Sequence, residues 1–160
     1  MGFTAINERF IQDLQDKIDI VLSDGLDNID QNGVTDVVMA GMGGELIVRL
    51  IEKCAWLRDA QNLVNLVLQP MTKSQTLRKW LYDNGFYVGE ELACIDGAFV
   101  YSVMQAEYIG KKPDYACDSR YLYGGRVRAD DEVGRGYLEK QAQRLKVAGE
   151  GMLRSDDKQE

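Results

Sequence analysis

The chain has 160 residues, enough for one domain that buries roughly 70% of its unfolded surface, so its core needs no disulfide or metal staple. Its hydrophobic (45%) and charged (28%) fractions are ordinary for a globular protein, no apolar run reaches the roughly 18 residues of a membrane span, and no basic-then-apolar leader opens it. Histidine is absent, which excludes His-based triads, and Cys54, Cys94 and Cys117 lie far apart without a C-x-x-C pair, so neither a disulfide framework nor a zinc site is indicated and a reducing cytoplasm is the expected compartment.

The charge is uneven. Residues 1–110 hold 8 Lys/Arg against 16 Asp/Glu, a net of −8, whereas residues 111–160 hold 11 against 10, a net of +1. An overall charge of −7 disfavours non-specific nucleic-acid binding, which rests on phosphate neutralisation. If a nucleic acid is the partner, the C-terminal third is the better contact surface; the alternative is a solvated helix face of mixed charge.

In chain order, Ile6, Phe10, Ile11 and Leu14 give a weak amphipathic helix over residues 1–17. Ile18 to Leu22 reads as a short strand closed by a turn at Ser23-Asp24-Gly25. In a nucleotide-binding sheet the Asp24 carboxylate could also accept hydrogen bonds from an adenine amino group or a ribose. Val37 to Ala40 reads as a strand buried on both faces, since it does not alternate with polar residues. It stops at Gly41-Met42-Gly43-Gly44, where glycines let the backbone turn and a ligand approach the main chain.

Leu46, Ile47, Leu50, Ile51 and Cys54 then share one helical face, which puts the glycines at a helix N-terminus. No Gly-Lys-Ser/Thr follows, so this is not a P-loop. Leu63 to Leu68 makes the next buried strand, ended by Gln69-Pro70-Met71, where the proline restricts Gln69. Ser74 is read as the cap of a helix whose core face is Leu77, Trp80 and Leu81, terminated by Asn84-Gly85. The strand–helix recurrence predicts a parallel βαβ arrangement. Phe86 to Ile95 and Ala98 to Tyr108 read as two strands joined through Asp96-Gly97. Lys111 to Val127 is loop-like. From Asp130 to about Met152 a helix returns, with Leu138, Ala142, Leu145, Gly149 and Met152 in a coiled-coil-like stripe that calls for a partner.

Read together, Leu22-Ser23-Asp24-Gly25-Leu26, Ala40-Gly41-Met42-Gly43-Gly44-Glu45-Leu46-Ile47, Leu68-Gln69-Pro70-Met71 and Leu77-Arg78-Lys79-Trp80-Leu81 with Asn84-Gly85-Phe86 resemble, in order and spacing, the bacterial tRNA (adenine-22-N1)-methyltransferase family. The resemblance spans roughly Ile18 to Ile109. It implies an α/β fold, a Rossmann-like class I methyltransferase sheet, mostly parallel with an antiparallel terminal hairpin, over residues 1–127, and a helical extension over residues 128–160. It implies S-adenosyl-L-methionine as cofactor, tRNA as partner and no metal. Asp24, Gly25, Leu26, Ala40 and Gly41 would lie on the cofactor, and Gly41, Met42, Gly43, Gly44, Gln69 and Pro70 would face the target base. Family members begin with a further strand and a D-x-G-S-D-H-A loop that binds the methionine half of the cofactor. Against that pattern the chain reads as a member without its N-terminal quarter, with Ile6-Asn7-Glu8 resembling the end of the family's second strand.

Methyl transfer to adenine N1 uses a neutral ring nitrogen as nucleophile, so it rests on positioning and desolvation and requires neither His nor a metal. Three other readings stay open: a non-catalytic remnant that holds only the adenosine end of the cofactor, an RNA-binding or interaction module whose C-terminal helix pairs with another chain, as in a homo-oligomer, and a different small-molecule enzyme on the same fold, against which the motif pair argues.

Overall fold

The computed structural model describes residues 17–61 and 63–156. All but the last residue of the helix expected over residues 1–17 lies outside them. The chain divides into two compact units, residues 1–30 and 31–160.

In the first unit, Ile18 to Leu22 is not a strand, contrary to expectation. A strand forms when its N–H and C=O groups find a neighbour's, and among the described residues none pairs with this segment; Ile18, Ile20, Val21 and Leu22 are exposed. The turn after it does form. Gly25 has φ +67°, and Asn28 donates from its backbone N–H to Ser23 Oγ (2.9 Å) and from Nδ2 to the Leu22 carbonyl (2.9 Å).

The second unit is built on a four-stranded sheet of order β1-β2-β4-β3: β1 (Asp36–Gly43), β2 (Asn65–Thr72), β3 (Phe86–Asp96) and β4 (Phe99–Tyr108). β1 and β2 run parallel and are joined through α1 (Gly44–Lys53), as the βαβ reading requires. β4 is antiparallel to both β2 and β3, so the parallel part of the described sheet is the β1–β2 pair. The hairpin turns where predicted, with Gly97 at φ +56° and Asp96 paired to Phe99.

β1 departs from the sequence expectation. Val37 and Met39 are buried, but Val38 is 68% exposed and Ala40 is exposed. β2 alternates in the same way, burying Leu66, Leu68 and Pro70 while Asn65, Val67 and Gln69 stay half-buried. In this unit α1 and α2 (Ser74–Asp83) pack on the side where Val37, Met39, Leu66 and Leu68 point. An all-apolar run cannot tell a strand covered on both faces from one covered on a single face. Ile47 and Ile51 of α1 and Leu77 and Leu81 of α2 are fully buried; each such side chain contributes about 1.5–3 kcal/mol. Trp80 Nε1 donates to Glu52 Oε1 (2.9 Å), tying α2 to α1.

Three further details differ. β2 runs through Pro70 to Thr72 instead of ending at the proline. Pairing with β4 stops at Leu68↔Met104, so Pro70, which has no N–H to give a ladder, follows where that ladder has already ended. Ser74 is the first helical residue and not the cap; the cap position is Lys73, whose side chain makes no capping bond. Lys111 to Val127 contains a 3-10 turn (Asp114–Cys117) and a short helix, α3 (Ser119–Tyr123), capped by Asp118 accepting from the Arg120 N–H (2.8 Å).

The last helix, α4 (Glu132–Asp156), is longer than predicted. Its predicted stripe is half-buried at Leu138 and then exposed at Ala142, Leu145 and Met152. The large buried side chain of α4 is Tyr137, one position earlier, on a helix that contacts β3 and β4.

Candidate functional site

The glycines of Gly41–Gly44 are placed by an irregularity at the carboxyl ends of β1 and β2. The parallel register runs regularly to Ala40↔Gln69, then jumps to Met42↔Pro70 and Gly43↔Thr72, so Gly41 is the bulged residue. Its φ of +77° is a conformation in which L side chains are strained, and a Cβ there would meet nothing within 4 Å. The bulge takes the Gly41 N–H out of the ladder. Gln69 supplies the missing acceptor through Oε1, at 2.7 Å. That bond also orients the amide: Oε1 is committed to Gly41, and the Gln69 amino group has no partner among the described residues.

Gly43 and Gly44 answer to close packing instead. A Cβ on Gly43 would lie 3.2 Å from Thr72 Oγ1, and one on Gly44 would lie 2.6 Å from the Lys73 carbonyl oxygen. The start of α1 thus rests against the turn between β2 and α2. In that turn Lys73 holds φ +54°, the only positive-φ non-glycine residue among those described, a conformation costing about 1–2 kcal/mol. Its Nζ reaches Glu45 Oε1 in the first turn of α1 (2.6 Å), so the two turns are joined by main-chain packing and by one exposed ion pair.

Of the sequence-predicted site residues, the structure therefore brings Ala40, Gly41, Met42, Gly43 and Gly44 together with Gln69 and Pro70. Asp24, Gly25 and Leu26 belong to the first unit; there Asp24 and Gly25 are exposed on the turn and Leu26 is half-buried, with its carbonyl accepting from the Ile29 N–H (3.1 Å). Among the described residues no group of His, Cys, Asp and Glu could hold a metal ion, and no helix is long and apolar enough to cross a membrane. Cys54 and Cys94 are not joined in a disulfide.

Sequence reasoning missed the polar centre that holds α4 in place. Arg78, on the core face of α2, is fully buried and uses all its donors. Nε and Nη2 grip the Glu91 carboxylate of β3, Nη1 donates to the Leu122 and Tyr123 carbonyls (both 3.1 Å), and Nη2 also donates to Ser102 Oγ (3.1 Å) and Tyr137 Oη (2.7 Å). Glu91 accepts in addition from the Arg126 N–H (2.9 Å). Burial, the largest single influence, works against the guanidinium's charge, but the Glu91 carboxylate and Tyr137 together outweigh it and hold the group protonated more firmly than usual. Gly125, at φ +67°, closes over the pair, and a Cβ there would fall 2.0 Å from Glu91 Oε2. An arginine beside Leu77 and in step with Leu81 on an amphipathic helix was the signal available in the sequence.

Residues 4–104 match a family described as "Methyltransferase domain". A curated relative from Bacillus subtilis (strain 168), a tRNA (adenine(22)-N(1))-methyltransferase, is 30% identical over 94 residues, 59% of this chain and 39% of that protein. Among solved structures, a Streptococcus pneumoniae protein held to be a tRNA (m1A22) methyltransferase, in complex with S-adenosyl-L-methionine, is 26% identical with a TM-score of 0.73, over 93% of this chain and 70% of that one. The B. subtilis m1A22 tRNA methyltransferase is similar at 22% identity and TM-score 0.58, over 89% of this chain and 74% of that one, a likeness of fold. The chain spans about two fifths of the length of the curated relative it matches.

Proposed function

We infer, for a chain that belongs to the methyltransferase-domain family, that it serves S-adenosyl-L-methionine-dependent methylation of adenine N1 in tRNA, at the position corresponding to adenine 22. The observation that carries this reading is the clamp between Gln69 and the bulged Gly41. It joins the two motifs whose combination is specific to the resemblance, and it does so at the carboxyl ends of parallel strands, where α/β sheets hold ligands. The similarity to the B. subtilis tRNA methyltransferase supports the choice of substrate.

Within the second unit, Gly41 offers a main chain with open space where a Cβ would stand, which suits close approach of such a cofactor. The cofactor, when bound, supplies an electrophilic methyl group on a sulfonium. The chain's part is to bind and orient the base. With Oε1 held by Gly41, the Gln69 amino group is free to donate to an acceptor nitrogen of the purine, leaving the N1 lone pair for attack. The glycine tip lets the ring approach the backbone and exclude water. Since N1 lies on the Watson–Crick edge, the target adenine must be unpaired or flipped out.

The tRNA would be held through the C-terminal third, in keeping with its more positive balance. The exposed Leu145 and Met152 of α4 would suit a second copy in a homo-oligomer, and the compartment would be the cytoplasm of a bacterium. The test is transfer of a labelled methyl group from S-adenosyl-L-methionine to a tRNA transcript, with the product nucleoside identified by mass spectrometry, alongside titration calorimetry of the cofactor. Formation of 1-methyladenosine supports the reading. Absence of cofactor binding at millimolar concentration, with tRNA binding retained, would replace it with the RNA-binding remnant.

A further inference from the structure

Where the ladder between β2 and β4 ends, the two strands part, and α4 crosses beside the gap. The cleft so formed has a volume of about 380 Å3 and is bounded by the β2–α2 turn, the first residues of β4 and the stretch of α4 from Tyr137 to Arg144. Its lining is unusual for a chain of net charge −7: it includes Lys73, Lys140 and Arg144 and no carboxylate. Lys73 is engaged with Glu45, but Lys140 and Arg144, one helical turn apart on the same face, form no ion pair among the described residues.

The cleft also carries Phe99, 61% exposed, beside Tyr101 with ring centroids 6.2 Å apart and planes inclined by 30°. Thr72, which lines the cleft, is also the residue whose Oγ1 would lie 3.2 Å from a Cβ on Gly43, so the cleft and the glycine tip meet at Thr72.

An exposed aromatic ring in a cleft that also holds cations without an ion pair among the described residues suits a strand of nucleic acid, whose bases stack and whose phosphates neutralise. An apolar protein partner would bury Lys140 and Arg144 without a counter-charge, which is costly. We propose that this cleft holds the unpaired RNA next to the target adenine, with phosphates on Lys140 and Arg144 and a base stacked on Phe99. This rests on the tRNA-methylation reading above and names where the substrate strand lies.

The test is fluorescence anisotropy of a labelled single-stranded RNA of roughly eight nucleotides with the full chain, over a salt series. Phe99→Ala should weaken binding about tenfold without changing the salt slope, since stacking carries no charge, and Phe99→Tyr should retain affinity. Lys140→Gln and Arg144→Gln should each lower the slope of log affinity on log salt by about 0.7. If the parent chain binds RNA and these variants match it at every salt concentration, the cleft assignment is overturned while the methyltransferase reading stands. Failure of the parent chain to bind RNA even at low salt overturns both. If Phe99→Ala instead dissociates a dimer seen by light scattering and leaves RNA binding unchanged, the cleft is a protein interface and the proposal is wrong. Absence of methyl transfer with the stacking and salt signatures intact would count against the reading above and leave the cleft as an RNA site.

Discussion

Replacing Glu91 by Gln is the sharpest probe of how the second unit is held together. The change is nearly isosteric and opens no cavity, so its cost is electrostatic. It leaves the guanidinium of Arg78, fully buried, with two carbonyls and two hydroxyls but no counter-charge. Removing one partner of a buried pair costs about 3–5 kcal/mol, a large share of the roughly 5–15 kcal/mol that keeps a domain folded. Because Arg78 and Glu91 join α2 to β3 and, through Ser102 and Tyr137, to β4 and α4, the loss should appear as a lower urea midpoint for the whole cooperative transition. The double substitution Arg78→Met with Glu91→Leu should recover part of it, removing both charges together, yet remain about 1–3 kcal/mol short because the Leu122 and Tyr123 carbonyls lose their donor. Urea unfolding followed by circular dichroism at 25 °C measures both. A Glu91→Gln variant within about 0.5 kcal/mol of the parent, where ordinary surface substitutions lie, would refute the account of the pair as a structural linchpin.

Gly125→Ala should be as damaging as loss of Glu91 itself, since its Cβ would land 2.0 Å from Glu91 Oε2 on a residue already at φ +67°; thermal unfolding of the variant checks this, and an unchanged midpoint would show that the loop simply moves aside. Gln69→Leu should separate stability from function. The Gly41 N–H is exposed and water can take the place of Oε1, so unfolding should shift by about 1 kcal/mol or less, whereas methyl transfer should fall about a hundredfold if the tip positions the base. A pH titration of stability isolates Tyr82, whose phenol is pushed up by burial, then by the neighbouring Glu91 charge. The folded state keeps that proton when the unfolded chain has begun to lose it, so the contribution is complete below about pH 10 and is lost as pH rises beyond it; Tyr82→Phe should flatten that alkaline limb.

What the sequence determined by itself is what nearest neighbours control. Strands overlapping the apolar runs of β1 and β2, the helices α1 and α2, the Asn84-Gly85 stop and the Asp96-Gly97 hairpin formed close to where predicted, because backbone preference and side-chain period act over a few residues; β2 nevertheless starts at Asn65 instead of Leu63, and Leu46 of the predicted α1 face is exposed. The pairing of Gly41 with Gln69 was legible only as two motifs sharing one sheet end.

Tertiary structure alone decided that Val38 faces outward, that Pro70 stays in its strand and that Ile18 to Leu22 does not become one. Each depends on whether another strand or helix covers the segment, which no local pattern records. It also decided the partners of Arg78, which lie 13, 24 and 59 residues away at Glu91, Ser102 and Tyr137. A buried charge is stable only beside a counter-charge brought to it by the fold, and a helix sequence read alone carries no trace of what stands on its far side.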